Sequence, residues 1–360
     1  MNIKPNHYVP SLRWRQGEYQ ALLALSDKAK DRVIPFIVIP EIEFDFEDWC
    51  DKKTMQEHVE PFAKRFKQKW NMRPAWIDVH PKVQNLLMDS GKLAIAHVFD
   101  ELRNLGSTAV PVTSLDANSN INAAVAAIVS IDGRGVGIRA RIEHIMKPTF
   151  KAALTTLMSS IKVDPSETDL IVDLGAPNYE PYDDFADGLL AAMSVIDNLA
   201  EFRSYVLIGS AYPQTVALAK PGGDITRHDW LFYNAFRSKL TKDDRVPNFG
   251  DYTIVNPEFT PQDMRKIKSG GKVVYTSNGS WFIRKGGAFR DNPTQMHDHC
   301  AFIVASGKFR GAAFSDGDDY IEKCAKKTKG PSNQPYWKRV AINHHIMHVL
   351  EDLAKSAGSS

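Results

Sequence analysis

Short apolar runs alternate along the chain with longer stretches whose apolar residues return every three or four positions. The runs Tyr8–Arg13, Val33–Ile39, Pro74–Val79, Thr108–Thr113, Gly135–Ile142, Leu170–Leu174, Tyr205–Gly209 and Phe249–Val255 read as strands. Between them, Gly17–Leu25, Asp48–Trp70, Ala94–Leu105, Ile121–Val129, Phe150–Ile161, Asp183–Phe202 and His228–Leu240 read as helices. Strand and helix in strict alternation is the pattern of consecutive parallel βαβ units. Eight such strands suffice to close a (β/α)8 barrel of the TIM type, which takes about 250 residues. An open doubly wound sheet is the alternative, and it would show both strand faces uniformly apolar. Here polar residues recur on one face. In the sixth run, Leu170, Val172 and Leu174 point one way, and Ile171 and Asp173 the other. Asp78 and Arg139 are placed likewise, which favours the closed barrel.

The eighth helix does not follow its strand directly. Asn278-Gly279, between the β-rich halves of Lys272–Arg284, signals a hairpin. Helices are then expected at Gln295–Ser306, Tyr320–Lys327 and Tyr336–Ala354. The sequence therefore predicts an α/β chain in two parts. Residues 1–261 form a barrel, and residues 262–360 form a hairpin plus helices packed on or completing it.

Composition narrows the setting. A net charge of +2 gives no global basic field, so nucleic acid is the less favoured partner. Cys50, Cys300 and Cys324 are far apart and form no CxxC pair, as in a reducing compartment. The N-terminus lacks the apolar core of a secretion signal, and no apolar run reaches the roughly 18 residues needed to cross a bilayer. The expected location is the cytoplasm, without membrane contact.

In a closed barrel the C-terminal strand ends converge on one mouth. That rule gathers Arg13, Glu41, Asp78, Arg139, Arg141, Asp173 and Asp251. Asp78, Asp173 and Glu41 are the candidate acid–base or metal-binding carboxylates. Arg13, Arg139 and Arg141, with Asp251, are the candidate ligand-binding groups, the arginines clamping an anion such as phosphate. The metal is left unidentified, a divalent ion being one option. The bland alternative is a set of mutually satisfied Arg–Asp pairs filling the barrel top.

Other groupings carry less. His344 and His348 share a helical face, but residue 345 is His rather than the Glu of HExxH, and a third zinc ligand is missing from the pattern. Ser315 or Asp316 reads as a helix N-cap rather than part of a calcium loop. His297 and His299 flank Asp298, and Lys323, Lys326, Lys327 and Lys329 form a basic run. Ser114, Ser210 and Cys300 lack a nucleophile-elbow context, and no dinucleotide or P-loop glycine pattern is present.

Several stretches together resemble the beta-protein family of tailed phages and bacteria. They are Tyr8–Arg13 with Gly17-Glu18, Pro35–Glu41, Trp76–Asp78, Asp169–Gly175, Arg227–Trp230, Phe249–Tyr252, Phe314–Asp318 and His344-His345. The resemblance runs from about residue 7 to 350. The family has no assigned activity. It implies a cytoplasmic protein of phage–host conflict, in antiviral defence or as a phage accessory. Two functions stay open. One is an enzyme, hydrolytic in one form, acting on a phosphorylated or nucleotide-like small molecule at the barrel mouth. The other is a non-catalytic interaction component, binding a protein partner through Trp281, Trp337 and the lysine run.

Overall fold

In the computed structural model, residues 3–258 and 269–358 are described. Eight parallel strands close a barrel: β1 (Val9–Leu12), β2 (Phe36–Ile39), β3 (Trp76–Val79), β4 (Val110–Ser114), β5 (Val136–Arg141), β6 (Thr168–Asp173), β7 (Ser204–Gly209) and β8 (Asn248–Asp251). Each strand pairs with its sequence neighbour, and β8 closes on β1 through Val9 opposite Gly250. The expected (β/α)8 architecture is present.

Period-two alternation divides the strand residues into two layers. Val9, Phe36, Val38, Trp76, Val110, Val112, Ile171, Val206 and Ile208 fill the barrel interior. The opposite set, including Tyr8, Ile37, Ile77, Ile138, Leu170, Val172, Leu207 and Phe249, packs under the surrounding helices. The interior is dense enough that a side chain at Gly137 would crowd its neighbours. A Cβ there would lie 3.0 Å from Val112 Cγ2 and 3.1 Å from Trp76 Cδ1. That space goes to the Trp76 indole, whose Nε1 donates to Asp169 Oδ2 at 2.7 Å. Arg203 and Ser204 bond the same carboxylate and close the lower end.

Some expectations need correction. The single helix expected over Asp48–Trp70 is a small hairpin (Phe44–Asp45 with Cys50–Asp51) followed by two helices, Met55–Val59 and Phe62–Trp70. Pro61 sits at the junction, where a ring without an N–H cannot continue the helix. The helix expected over Asp183–Phe202 is Tyr182–Met193, followed by a single 3₁₀ turn, Leu199–Glu201. The hairpin at Asn278-Gly279 forms between Gly270–Ser277 and Ser280–Ala288, with Gly279 at φ 66° as the turn requires. It gains a third, unanticipated strand, Gly222–Thr226, paired antiparallel with Ser280–Ala288.

The C-terminal helix, Gln334–Gly358, joins the two parts. From Val340 to Leu350 every residue except Met347 is buried. Ala341, Ile342, Ile346, Val349 and Leu350 belong to the barrel's outer core. Val340 and Trp337 join a smaller core with Tyr275, Met296, Cys300, Ile321 and Cys324. A helix enclosed on both sides can carry polar residues only where each finds a partner. Among the described residues, no helix is long and apolar enough to cross a membrane.

Candidate functional site at the barrel mouth

The inward face of β5 runs from Gly137 to Arg139. Arg139 reaches across the mouth from there. Its Nε and Nη2 donate to Asp173 Oδ2 at 2.8 and 2.6 Å, and its Nη1 to Asp78 Oδ2 at 3.1 Å. Tyr252, one residue past β8, accepts from Nη2 at 3.1 Å and donates to Asp173 Oδ2 at 2.7 Å. Backbone N–H groups of Gly175 and Val79 hold the outer carboxylate oxygens of Asp173 and Asp78. The Phe36 ring lies beneath the guanidinium at 5.3 Å. Burial disfavours charge on both carboxyls, with different outcomes. At Asp173 the guanidinium, the Tyr252 hydroxyl and the Gly175 N–H outweigh burial and hold the carboxyl below its usual range. At Asp78 burial outweighs the single Arg139 contact and holds the carboxyl above it. The cluster thus sets apart a fixed ion pair, Arg139–Asp173, and a second carboxyl, Asp78, held above its usual range.

The other predicted site residues stand elsewhere. Glu41 is buried between Arg15 and His80, each at 3.8 Å. Arg13, also drawn inward, donates to the Pro257 carbonyl. Arg141 leaves the barrel and pairs with Asp116 at 3.4 Å and Glu143 at 3.9 Å. Asp251 does not share the mouth. It sits on the outward face with Phe249, fully buried, and accepts from Tyr8. It also meets Nε2 of His345 on the C-terminal helix at 2.9 Å. His345 Nδ1 meets Thr276 Oγ1 at 2.9 Å. This hydroxyl–imidazole–carboxylate chain resembles a nucleophile relay, but Thr276, His345 and Asp251 are each at most 1% exposed. Such burial denies it a substrate, and its role is to fasten the helix to the barrel.

His344 is likewise committed, to Asp318 at 2.7 Å and the Thr276 carbonyl at 2.8 Å, with Tyr275 stacked on its ring at 3.9 Å. Ser315 caps the helix Asp316–Ala325, accepting from the Asp318 N–H at 3.0 Å. Among the described residues, no group of three His, Cys, Asp or Glu side chains is placed to hold a metal ion. Trp281 and Trp337, the expected anchors of a binding surface, are buried at 0% and 5% exposure and cannot serve as one. Lys323 and Lys326 pair along their own helix with Asp319 and Glu322.

Beside the mouth, the loops after β1 and β2 and the first turn of the C-terminal helix enclose a cleft of about 610 Å³. Arg15, Lys52, Lys53, Arg65 and Lys338 line it, against the carboxylates Glu41 and Glu43. Of the three carboxylates expected to carry chemistry, only Glu41 reaches it. Trp14, held at φ 50°, turns the chain there so that Arg13 goes inward and Arg15 to the cleft. A left-handed backbone is costly for so bulky a residue, and packing against Tyr19, Phe62 and Phe66 sustains it. The sequence reading missed these cations. Their available signal was position, since Arg15, Lys52 and Lys53 lie in the βα loops that build TIM-barrel sites.

The model of the Beta protein family matches residues 8–351. The chain belongs to the Beta protein family. No curated protein matches it. In this Beta family protein the matched span takes in the whole barrel and most of the C-terminal helix, the fastening residues Tyr8, Asp251 and His345 included.

Proposed function

We propose that this Beta family protein binds a phosphorylated small molecule in the cleft beside its barrel mouth, and that it does so in the cytoplasm, in the setting of phage–host conflict. The observation that carries the binding reading is the lining of the cleft, five cationic side chains against two carboxylates around about 610 Å³. That volume lies within the range of small-molecule sites, about 300–1,000 Å³. The cations come from four separate segments, so their convergence is a product of the fold. In the enzymatic form of this reading the ligand is hydrolysed, and Glu41 is the acid–base group within reach of the cleft. Arg139, Asp173 and Asp78 then form the rigid floor of the mouth.

Calorimetric titration of the full-length protein with inorganic phosphate and ribose 5-phosphate tests the reading. Binding to wild type, weakened at least about tenfold in Lys53→Ala/Arg65→Ala, is the expected result, since each charge-assisted contact contributes about 1.5–3 kcal/mol. Binding unaltered in the double variant would place the site elsewhere.

A second reading, a non-catalytic interaction component, is favoured by the small hairpin. Trp49 at its turn is 78% exposed, beside the edges of Phe44. Exposed aromatics of this kind anchor protein interfaces. If Trp49→Ala abolishes biological activity while the cleft variants retain it, this second reading replaces the first.

A further inference from the structure

Resting on the cleft reading above, one wall residue not yet used gives the site a chemistry of its own. The short helix Met55–Val59 is fixed at its start by a reciprocal cap. Thr54 Oγ1 accepts from the Glu57 N–H at 3.2 Å, and Glu57 Oε2 accepts from the Thr54 N–H at 2.9 Å. Met55 and Val59 are buried and anchor it. His58, between them, is half-buried and lines the cleft. Its Nε2 lies 2.8 Å from the carbonyl oxygen of Pro40, the residue after β2. A carbonyl can only accept, so Nε2 carries the hydrogen and Nδ1 keeps its lone pair. Nδ1 has no hydrogen-bond partner among the described residues and is open to solvent. Burial, then Lys53 and Arg15, outweigh the Pro40 carbonyl and hold the ring below its ordinary value, so it is neutral at neutral pH. A neutral imidazole of fixed tautomer, its Nδ1 open, among cations suited to phosphate, has the attributes of a nucleophile. We propose that His58 accepts a phosphoryl group on Nδ1 from a phosphate ester bound in the cleft. The lone pair of Nδ1 forms the N–P bond and the P–O bond to the leaving group breaks. Its electron pair departs with that oxygen, which takes a proton from water. The ring becomes an imidazolium whose Nε2–H stays on the Pro40 carbonyl, now as a stronger, charge-assisted hydrogen bond. The surrounding cations offset the charge on the phosphoryl oxygens during transfer. Water then attacks phosphorus, the N–P bond breaks with its electron pair returning to Nδ1, and inorganic phosphate leaves. This is the hydrolytic form of the cleft reading with its nucleophile named.

The test uses the full-length protein and phosphoramidate, a small donor that passes its phosphoryl group to imidazole and releases ammonia. Intact mass spectrometry should show wild type gaining one phosphoryl group, stable in alkali and lost in acid as an N–P bond is, and peptide mapping should place it on His58. Uptake should be at least about tenfold faster than at His58 in the urea-unfolded chain, and about tenfold slower in Lys53→Ala/Arg65→Ala. His58→Gln keeps an N–H for the Pro40 carbonyl but has no nucleophile, and should take up no phosphoryl group at this site. Should that variant fold poorly, inorganic phosphate at ten times its dissociation constant should slow uptake by wild type about tenfold, by occupying the cleft. Phosphate binding in the titration above with no phosphoryl group on His58 overturns this inference and leaves the cleft reading standing. So does uptake no faster than in the unfolded chain, or slowed neither by the double variant nor by phosphate. Absence of phosphate binding overturns the cleft reading, and this inference with it.

Discussion

Arg139 offers the sharpest test of how the barrel mouth is held together. Its side chain is 11% exposed, and those of Asp78 and Asp173 are 14% and 4% exposed. Replacing it by alanine removes four hydrogen bonds, two to Asp173 and one each to Asp78 and Tyr252. It leaves two buried carboxylates facing each other without a cation. Breaking a buried ion pair from one side costs about 3–5 kcal/mol, mostly the penalty of the stranded charge. The pH dependence follows from the same contacts. In wild type the Asp173 carboxyl is held below its usual range, so its stabilisation is present above the unfolded value near 3.8 and is lost only at still lower pH. Without Arg139, burial is opposed only by the Tyr252 hydroxyl and the Gly175 and Val79 N–H groups, and both carboxyls rise. The folded variant then binds protons more readily than the unfolded chain, and its stability rises as pH falls. The deficit of Arg139→Ala against wild type should therefore be larger at pH 8 than at pH 5. Urea unfolding followed by tryptophan fluorescence measures it, with the slope m confirming that the same surface unfolds. A deficit below about 1 kcal/mol at pH 8, or one equal at both pH values, would refute the reasoning.

Three further outcomes are expected. Gly137→Ala should destabilise the barrel by about 1–3 kcal/mol, because the new methyl meets Val112 and Trp76 inside a closed layer; a neutral substitution would show the interior to be looser than described. His345→Ala strips partners from Asp251 and Thr276 and should cost about 2–4 kcal/mol in the same urea assay, a loss under 1 kcal/mol being incompatible with a fastening role. Asp229, buried at 3% exposure, has its carboxyl pushed by burial up to about 7. Stability from its protonated form is complete below the unfolded value and is lost progressively as pH rises from there to about 7, so the advantage of Asp229→Asn over wild type should be about 1–3 kcal/mol larger at pH 8 than at pH 5. A constant difference from pH 5 to 8 would remove Asp229 from the account.

The barrel was legible because its information is local. Each strand announces itself by an apolar run, and each helix by its period, without reference to distant parts of the chain. The misread segments depend on something beyond that window. Gly222–Thr226 has almost no apolar signal of its own and becomes a strand only because Ser280–Ala288 offers it an edge. The helix expected from Asp48 was extended through Pro61 on the strength of charged residues with good helix propensity, although the proline had already marked the break.

The candidate site was legible to the same depth. Asp78, Arg139 and Asp173 could be brought together because parity along a strand fixes which side chains face the axis. Asp251 was assigned to that axis by its place at a strand end, and parity contradicts the assignment within β8 itself. Phe249 and Asp251 share a face, so Gly250 and Tyr252 take the other. Gly250 is the informative residue. A Cβ there would lie 2.7 Å from Ile208 Cγ1, just as one at Gly137 would press on Val112 and Trp76. In a barrel of eight strands the interior is too narrow for a large side chain at every inward position. A glycine inside an otherwise apolar strand therefore marks the inward face, and Gly250 already turned Asp251 outward. What such a rule cannot supply is its partner, since His345 lies 94 residues further on. The cleft cations pose the same difficulty. Arg15, Lys53 and Lys338 come from two loops and a distant helix, and only the closure of the barrel and the docking of that helix make them neighbours.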